Sequence, residues 1–285
     1  MSAIWTTRRF DLDLSEPKVM GIVNLTPDSF SDGGVYNAPA QALRHAEQLL
    51  REGAHMLDLG AESTRPGAPA VTLEEELLRL EPVVKELVRW NVPLSIDTYK
   101  PEVMQATLAW GADVINDVWA LRQPGAWEVL SADPRAGACL MHMHREPGSM
   151  QLEPMQGDVL EQVQTFFAQA LAKADHHGVS RQRLTLDPGI GFGKTVAQNL
   201  TLLRENARFN ALGCPTLVGW SRKSTLGSVL AERVFKGQVP EPLQRVQASV
   251  AAALLSVDRG ARVVRVHDVA PTVQALALWS AMQDH

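Results

Sequence analysis

Eight short apolar runs recur along this chain, each followed by a longer segment of different character. They lie at Lys18–Leu25, His55–Leu59, Pro93–Ile96, Val114–Ile115, Ala138–Met143, Leu184–Leu186, Pro215–Val218 and Arg262–Val266. Most are continuously apolar rather than alternating, as strands are when both faces are covered. The segments between them carry helical periodicity, as in Ala40–Arg51, Leu73–Trp90, Pro101–Trp110, Asp158–His176, Ala197–Asn206 and Leu243–Val257. Pro101 and Pro271 suit the first turn of a helix, and Gly53, Gly111, Gly178 and Gly260 suit helix ends. This alternation within 285 residues predicts a single-domain α/β (β/α)8 barrel with its core over about residues 18–283. A doubly wound open sheet of the same elements is the alternative. The connection between the seventh and eighth runs is long enough for two helices.

Composition narrows the class of partner. Hydrophobic residues make up 45% of the chain, ample for one large core. The net charge is -5 with both signs mixed throughout, and no basic stripe suggests nucleic acid. A small-molecule ligand is expected, with any anion site built locally. Cys139 and Cys214 sit in apolar settings and are expected as buried free thiols in a reducing compartment. The first residues contain no apolar stretch of signal-peptide length, and no run approaches the ~20 residues of a membrane span. A soluble cytoplasmic protein without a membrane partner is the expectation.

A barrel keeps its chemistry on the loops that follow its strands. Here polar residues close almost every apolar run: Asn24, then Thr64 and Arg65, Asp97, Asn116 with Asp117, Asp187, and finally Arg265 with His267. One aspartate after a strand is commonly a cap or a turn former. Such residues at nearly every run, beside Gly-rich loops, read as the rim of an active site. Asp97, Asn116 and Asp187 suit the donors of a flat, nitrogen-rich heterocycle, with Lys223 on one of its acceptors. Arg65, Arg265 and His267, with Asn24 and Thr64, fall on the eighth, first and second strands, which are neighbours in a barrel. They suit phosphate or pyrophosphate, and the Asn24 amide oxygen suits Mg2+ beside it.

"LVGWSRKSTLG" places cations and hydroxyls where a strand stops and a helix begins. Ser221–Ser224 is expected to open that helix toward the barrel mouth. Ser224 then offers its hydroxyl and N–H to a carboxylate or phosphate. Lys223 turns inward, and Arg222 either lines the edge or makes a structural contact.

Two motifs mislead. "GIGFGKT" resembles a phosphate loop, but Pro188 stands where that pattern needs Gly, and Lys194 takes the last Gly of the dinucleotide pattern. Its glycines suit a tight loop near a ligand, with Phe192 as an apolar wall. "HMH" at His142 and His144 has zinc-like spacing but no clear third ligand, so a rim hydrogen bond or surface position is expected. Met141, on the opposite face, either packs on a flat ring or fills core, as does Met143.

The segments "MGIVNLTPDSFSDGG", "GAESTRPGA", "SIDTYKPEV", "GADVINDV", "LMHMHREPGSMQ", "LDPGIGFGKT", "LVGWSRKS" and "VRVHDV", in this order from about Val19 to Val269, resemble the dihydropteroate synthase family. The resemblance implies a TIM-barrel transferase of folate biosynthesis, inhibited by sulfonamides. It implies joining of 6-hydroxymethyl-7,8-dihydropterin pyrophosphate to 4-aminobenzoate, with release of pyrophosphate by an SN1-type path. By motif position, pterin ligands are Asp97, Asn116, Met141, Asp187 and Lys223. The pyrophosphate site is Asn24, Thr64, Arg65, Arg265 and His267, with Mg2+ on Asn24. The aminobenzoate site is Phe30, Thr64, Pro66, Phe192, Lys223 and Ser224. The catalytic set is Asp97, Arg65, Lys223 and Asn24, and a homodimer packed through helices near the barrel's C-terminal end is implied. His144-Arg145 replaces a Gln-Gly type turn, Trp220 stands at a variable position, and "GAES" replaces "GGES". A corrinoid-linked pterin methyltransferase shares the barrel but has no need of "SRKS" or "RVH". A non-catalytic pterin-binding paralogue is expected to lose loop residues such as Asp32, Arg65 or Ser224, and all three are present.

Overall fold

The computed structural model describes residues 4–26, 34–63, 70–145 and 154–283. A short antiparallel hairpin, β1 (Ile4–Thr6) and β2 (Asp11–Asp13), comes first. The first half of the repeating part runs β3 (Lys18–Asn24), α1 (Gly34–Arg51), β4 (Met56–Gly60), α2 (Leu73–Leu87), β5 (Leu94–Asp97), α3 (Pro101–Trp110), β6 (Val114–Asp117) and α4 (Ala126–Ala132). The second half runs β7 (Gly137–Met141), α5 (Val159–His176), β8 (Leu184–Asp187), α6 (Val196–Arg204), β9 (Leu217–Val218), α7 (Ser224–Arg233), α8 (Val246–Asp258), β10 (Val263–Val266) and α9 (Val269–Gln283).

Strands β3 to β10 form one parallel sheet in the order β8-β7-β6-β5-β4-β3-β10-β9. A parallel bridge between Leu186 and Thr216 brings the two ends of that order together. The result is the expected (β/α)8 barrel, and two helices do separate its last two strands.

Local sequence explains the elements. Helix α5 starts where the Asp158 carboxylate accepts the N–H groups of Leu160 and Glu161. Its buried Val159, Val163, Phe167, Ala170, Leu171 and Ala174 repeat at three- and four-residue intervals, so one face packs on the sheet. Thr72 caps α2, whose first turn carries Glu74, Glu75 and Glu76 at the positive end of the helix dipole. Alternate strand residues point outward to the helices, as Val19, Leu57, Ile96, Ile115, Leu140 and Val264 do. The residues between them point inward. Met20, Met56, Val114, Cys139, Leu217 and Val263 form the lower interior layer, and Trp5 of the hairpin seals it from below. Gly137 permits this closure, because a Cβ there would lie 3.2 Å from the Thr6 carbonyl. Both cysteines are buried and free, as expected.

Five details differ from the sequence expectations. The hairpin and α4 were not foreseen: three-residue strands and a seven-residue helix are too short to show a period. Strand β7 ends at Met141, so "HMH" continues beyond the strand. Strand β9 is only Leu217–Val218, with Thr216 supplying the bridge. Helix α7 begins at Ser224, so Ser221–Lys223 form the turn before it.

Candidate active site

Strand register assembles the polar floor at the upper end of the barrel. Asn24 lies opposite Gly60, Gly60 opposite Asp97, Asp97 opposite Asn116, and Met141 opposite Asp187. Asp58, Asn116 and Asp187 are buried there. Arg265 reaches across from β10, with Nε 2.6 Å from Asp58 Oδ2 and Nη2 2.8 Å from Asp97 Oδ2. Asn116 donates to the same Asp58 oxygen at 3.2 Å. Burial pushes the Asp97 carboxyl up to about 7, opposed by Arg265 and reinforced by the charges of Asp58, Asp117 and Glu76. Asp187 is also raised by burial, while the Gly189 N–H, Lys223, Lys194 and Arg265 pull against that. Burial acts against the Arg265 charge, but the Asp58 and Asp97 carboxylates outweigh it and hold the guanidinium above its ordinary value.

Asp58 was missed by the sequence reading. Its signal was a charged residue inside the apolar run "MLDLG", two positions from Met56 and hence facing the barrel interior.

His267 continues β10 inward. The Ser221 hydroxyl accepts the His267 backbone N–H at 3.1 Å and lies 2.9 Å from its Nδ1. These two contacts hold the imidazole in place, with Nδ1 turned to Ser221. Ser221 is therefore a second residue the sequence reading left without a role.

An apolar wall stands beside the floor. Val118, Met141, Met143 and Phe192 cluster with Tyr99 and Trp119. Met141 thus lies at the mouth as well as in contact with apolar neighbours. The Asp117 carboxylate accepts the Trp119 and Leu121 N–H groups, both at 2.7 Å. These bonds hold Ala120 and Leu121 at left-handed φ of 52 and 57°, a strained pair in the loop that presents Val118 and Trp119.

Lys223 extends over the Phe192 ring, with Nζ 4.2 Å from the ring centre. Ser224, exposed, is the first residue of α7. Arg222 resolves to the structural alternative. It forms a two-pronged pair with Asp268, at 3.0 and 2.6 Å, while its backbone sits at φ 59°. Lys194 of "GIGFGKT" is buried, and burial lowers its ammonium to about 7 against the pull of Asp187.

His142 is buried rather than on the surface. Its ring meets Phe166 edge-on at 4.9 Å, and burial, then Lys194, Arg122 and His144, lowers it to about 2, so it is neutral. Among the described residues no group of three His, Cys, Asp or Glu side chains could hold a metal ion.

At the base of the "GAES" loop, Lys100 pairs with Glu62 and, at 2.5 Å, with the buried Glu76. Glu76 also accepts the Thr98 hydroxyl at 2.7 Å, and Tyr99 donates to Glu62. This network ties the end of β4 to the start of α2 and to the loop after β5. Phe30, Thr64, Arg65 and Pro66, with Asp32, lie outside the described residues.

Residues 20–267 match the family model described as pterin binding enzyme. A dihydropteroate synthase of Neisseria meningitidis serogroup C is 49% identical over 282 residues, 98% of this chain and 97% of that protein. The chain belongs to the dihydropteroate synthase family. Solved structures agree. Xanthomonas albilineans dihydropteroate synthase with 4-aminobenzoic acid matches with a TM-score of 0.87 at 48% identity, covering 96% of this chain and 95% of that one. Burkholderia cenocepacia dihydropteroate synthase complexed with 7,8-dihydropteroate matches with a TM-score of 0.86 at 48% identity, covering 99% and 96%. As a dihydropteroate synthase family member the chain has its floor residues on strands β4, β5, β6, β8 and β10, at one end of the barrel.

Proposed function

We propose that this chain condenses 6-hydroxymethyl-7,8-dihydropterin pyrophosphate with 4-aminobenzoate, giving 7,8-dihydropteroate and pyrophosphate. The observation that carries this reading is the buried cluster of Asp97, Asn116 and Asp187 around Arg265 at the barrel mouth. Carboxylates and an amide at such a floor are acceptors for the N–H edge of a pterin. Met141 and the apolar wall suit its ring faces. Lys223 and Phe192 suit the arylamine, with Ser224 on its carboxylate. Sulfonamides, as 4-aminobenzoate mimics, are the expected inhibitors.

In the proposed path, the bond from the pterin methylene to the pyrophosphate oxygen breaks first, and its electron pair leaves with pyrophosphate. The positive charge spreads over the pterin ring, where ionised Asp97 stabilises it. The arylamine lone pair then forms the new C–N bond, and its extra proton passes to water. Arg65, Arg265, His267, Thr64 and Asn24 are assigned to the departing pyrophosphate. Preorganised donors of this kind are worth about 3–4 kcal/mol each in other enzymes. Covalent catalysis is not required: the interior thiol Cys139 lies in the lower layer and is held well above its ordinary value by burial.

Mg2+ is assigned to Asn24. A single amide oxygen fits an ion that takes most of its ligands from pyrophosphate and water. Bound there, it supplies charge neutralisation to the leaving group. A homodimer and a cytoplasmic location are further parts of the proposal. Among the described residues no helix is long and apolar enough to cross a membrane.

The test is pyrophosphate release from the pterin pyrophosphate with Mg2+, with and without 4-aminobenzoate. Release that depends on the arylamine, with dihydropteroate seen by mass spectrometry, supports the reading. Pterin binding without release would favour a non-catalytic binder.

A further inference from the structure

The loop after β8, residues 188–195, has glycines at every second position. Gly189, Gly191 and Gly193 all adopt left-handed φ, at 68, 82 and 69°. Such alternation folds the backbone into a concave turn that ordinary residues cannot follow at those positions. The loop is occupied from within. Lys194 Nζ donates to the carbonyls of Gly189 at 2.8 Å, His142 at 3.2 Å and Phe192 at 3.2 Å. An ammonium has three protons and no acceptor, so these bonds account for all of them. The side chain is 5% exposed. Burying the charged form is costly, and the three carbonyls are its hydrogen-bond partners there.

The three carbonyls belong to two loops. His142 follows β7, whereas Gly189 and Phe192 follow β8. The two backbones meet so closely that a Cβ at Gly189 would lie 1.9 Å from the His142 oxygen. From the same loop, the Gly191 N–H donates to Asn199 at 2.9 Å, and Asn199 donates to the Thr225 hydroxyl in the first turn of α7 at 2.9 Å. Phe192 is thus fixed on one side and the turn carrying Lys223 on the other.

We propose that Lys194 is a positioning residue for the arylamine half of the site: its Nζ, bonded to three backbone carbonyls, fastens the loop after β8 to the loop after β7, and so sets the Phe192 ring against Lys223. The inference rests on the proposed function for the identity of the ligand. It weighs more on the arylamine than on the pterin: Asp97 and Asn116 are held by strand pairing and Phe192 by the loop, while Asp187, which accepts the Gly189 N–H at 2.7 Å, and Lys223 serve both halves.

Lys194→Met keeps the length of the side chain and removes its charge and donors. The KM for 4-aminobenzoate should rise about tenfold or more while the KM for the pterin pyrophosphate changes by less than about threefold. In Lys194→Ala, added n-propylamine should restore part of the arylamine KM, and n-butane should not. Amide exchange of residues 189–193 should accelerate about tenfold in Lys194→Met, with the β1–β2 hairpin unchanged. This last readout needs no turnover. Absent turnover in the unmodified protein counts against the proposed function, and unchanged loop exchange counts against the role of Lys194. An unaltered arylamine KM, or an equal rise in both KM values without amine rescue, would also overturn it. Lys194→Gln serves if the methionine variant does not fold.

Discussion

Arg265 carries two carboxylates at once, and this decides what its loss would do. Asp58 is fully buried and Asp97 nearly so, and each gives one oxygen to the guanidinium. Arg265→Ala is expected to weaken pyrophosphate binding, but also to leave two buried acids without their cation. Breaking a buried pair in this way costs about 3–5 kcal/mol. The double variant Arg265→Ala with Asp58→Asn should therefore be more stable in urea unfolding than Arg265→Ala alone. Equal stability would show that Asp58 does not depend on Arg265. The Asp97 carboxyl makes a second prediction. Its folded value, about 7, lies above its ordinary 3.8. The stabilising contribution of its protonated form is thus full below about pH 4 and lost as pH rises through about 7. A pterin that needs the ionised form shows the opposite trend: its affinity should level off above about pH 7 and fall by up to about tenfold per unit below it, with proton release on binding. Calorimetry in two buffers of different ionisation enthalpy reads both quantities, and a flat profile without proton release contradicts the assignment.

Elements divide the labour between the two ends of the barrel. The β1–β2 hairpin closes the lower end: Trp5 is fully buried over Met20, Met56, Val114 and Cys139, and its Nε1 donates to the Arg183 carbonyl at 3.1 Å. The loops at the other end carry the site. Trp5→Ala should cost about 3–5 kcal/mol, read as a lower urea midpoint. It should leave kcat and both KM values nearly unchanged at temperatures where the variant is folded. A large kinetic change at unaltered stability would show that the lower end is coupled to the chemistry. The hairpin was not legible in the sequence because its strands are three residues each, and its role depends on residues contributed by β3, β4, β6, β7, β9 and β10. Arg222 was ambiguous for a similar reason, since its partner Asp268 lies 46 positions away in sequence.

At the scale of the whole molecule, the eightfold rhythm was legible because each strand is buried on both faces and each helix on one. The polar residues at strand ends were legible because a barrel gathers all such ends on one rim. What the rhythm hid were polar residues that act through others. Asp58 is enclosed in an apolar run, Lys194 was masked by a false phosphate-loop pattern, and Asp117 looks like a second ligand beside Asn116. Their roles lie in contacts between strands and loops distant in sequence: Asp58 with Arg265, Lys194 with the His142 carbonyl, Asp117 with the turn at Ala120 and Leu121. Everything above requires that this rim, and no other face, holds the pterin. A crystal structure with 7,8-dihydropteroate bound tests it most directly. The ring's N–H groups are expected on Asp97, Asn116 and Asp187, Met141 against its face, and the aminobenzoate ring beside Phe192 and Lys223. A pterin lodged instead in the outer cleft of about 530 Å3, between Arg122, His142 and Phe166, would contradict it.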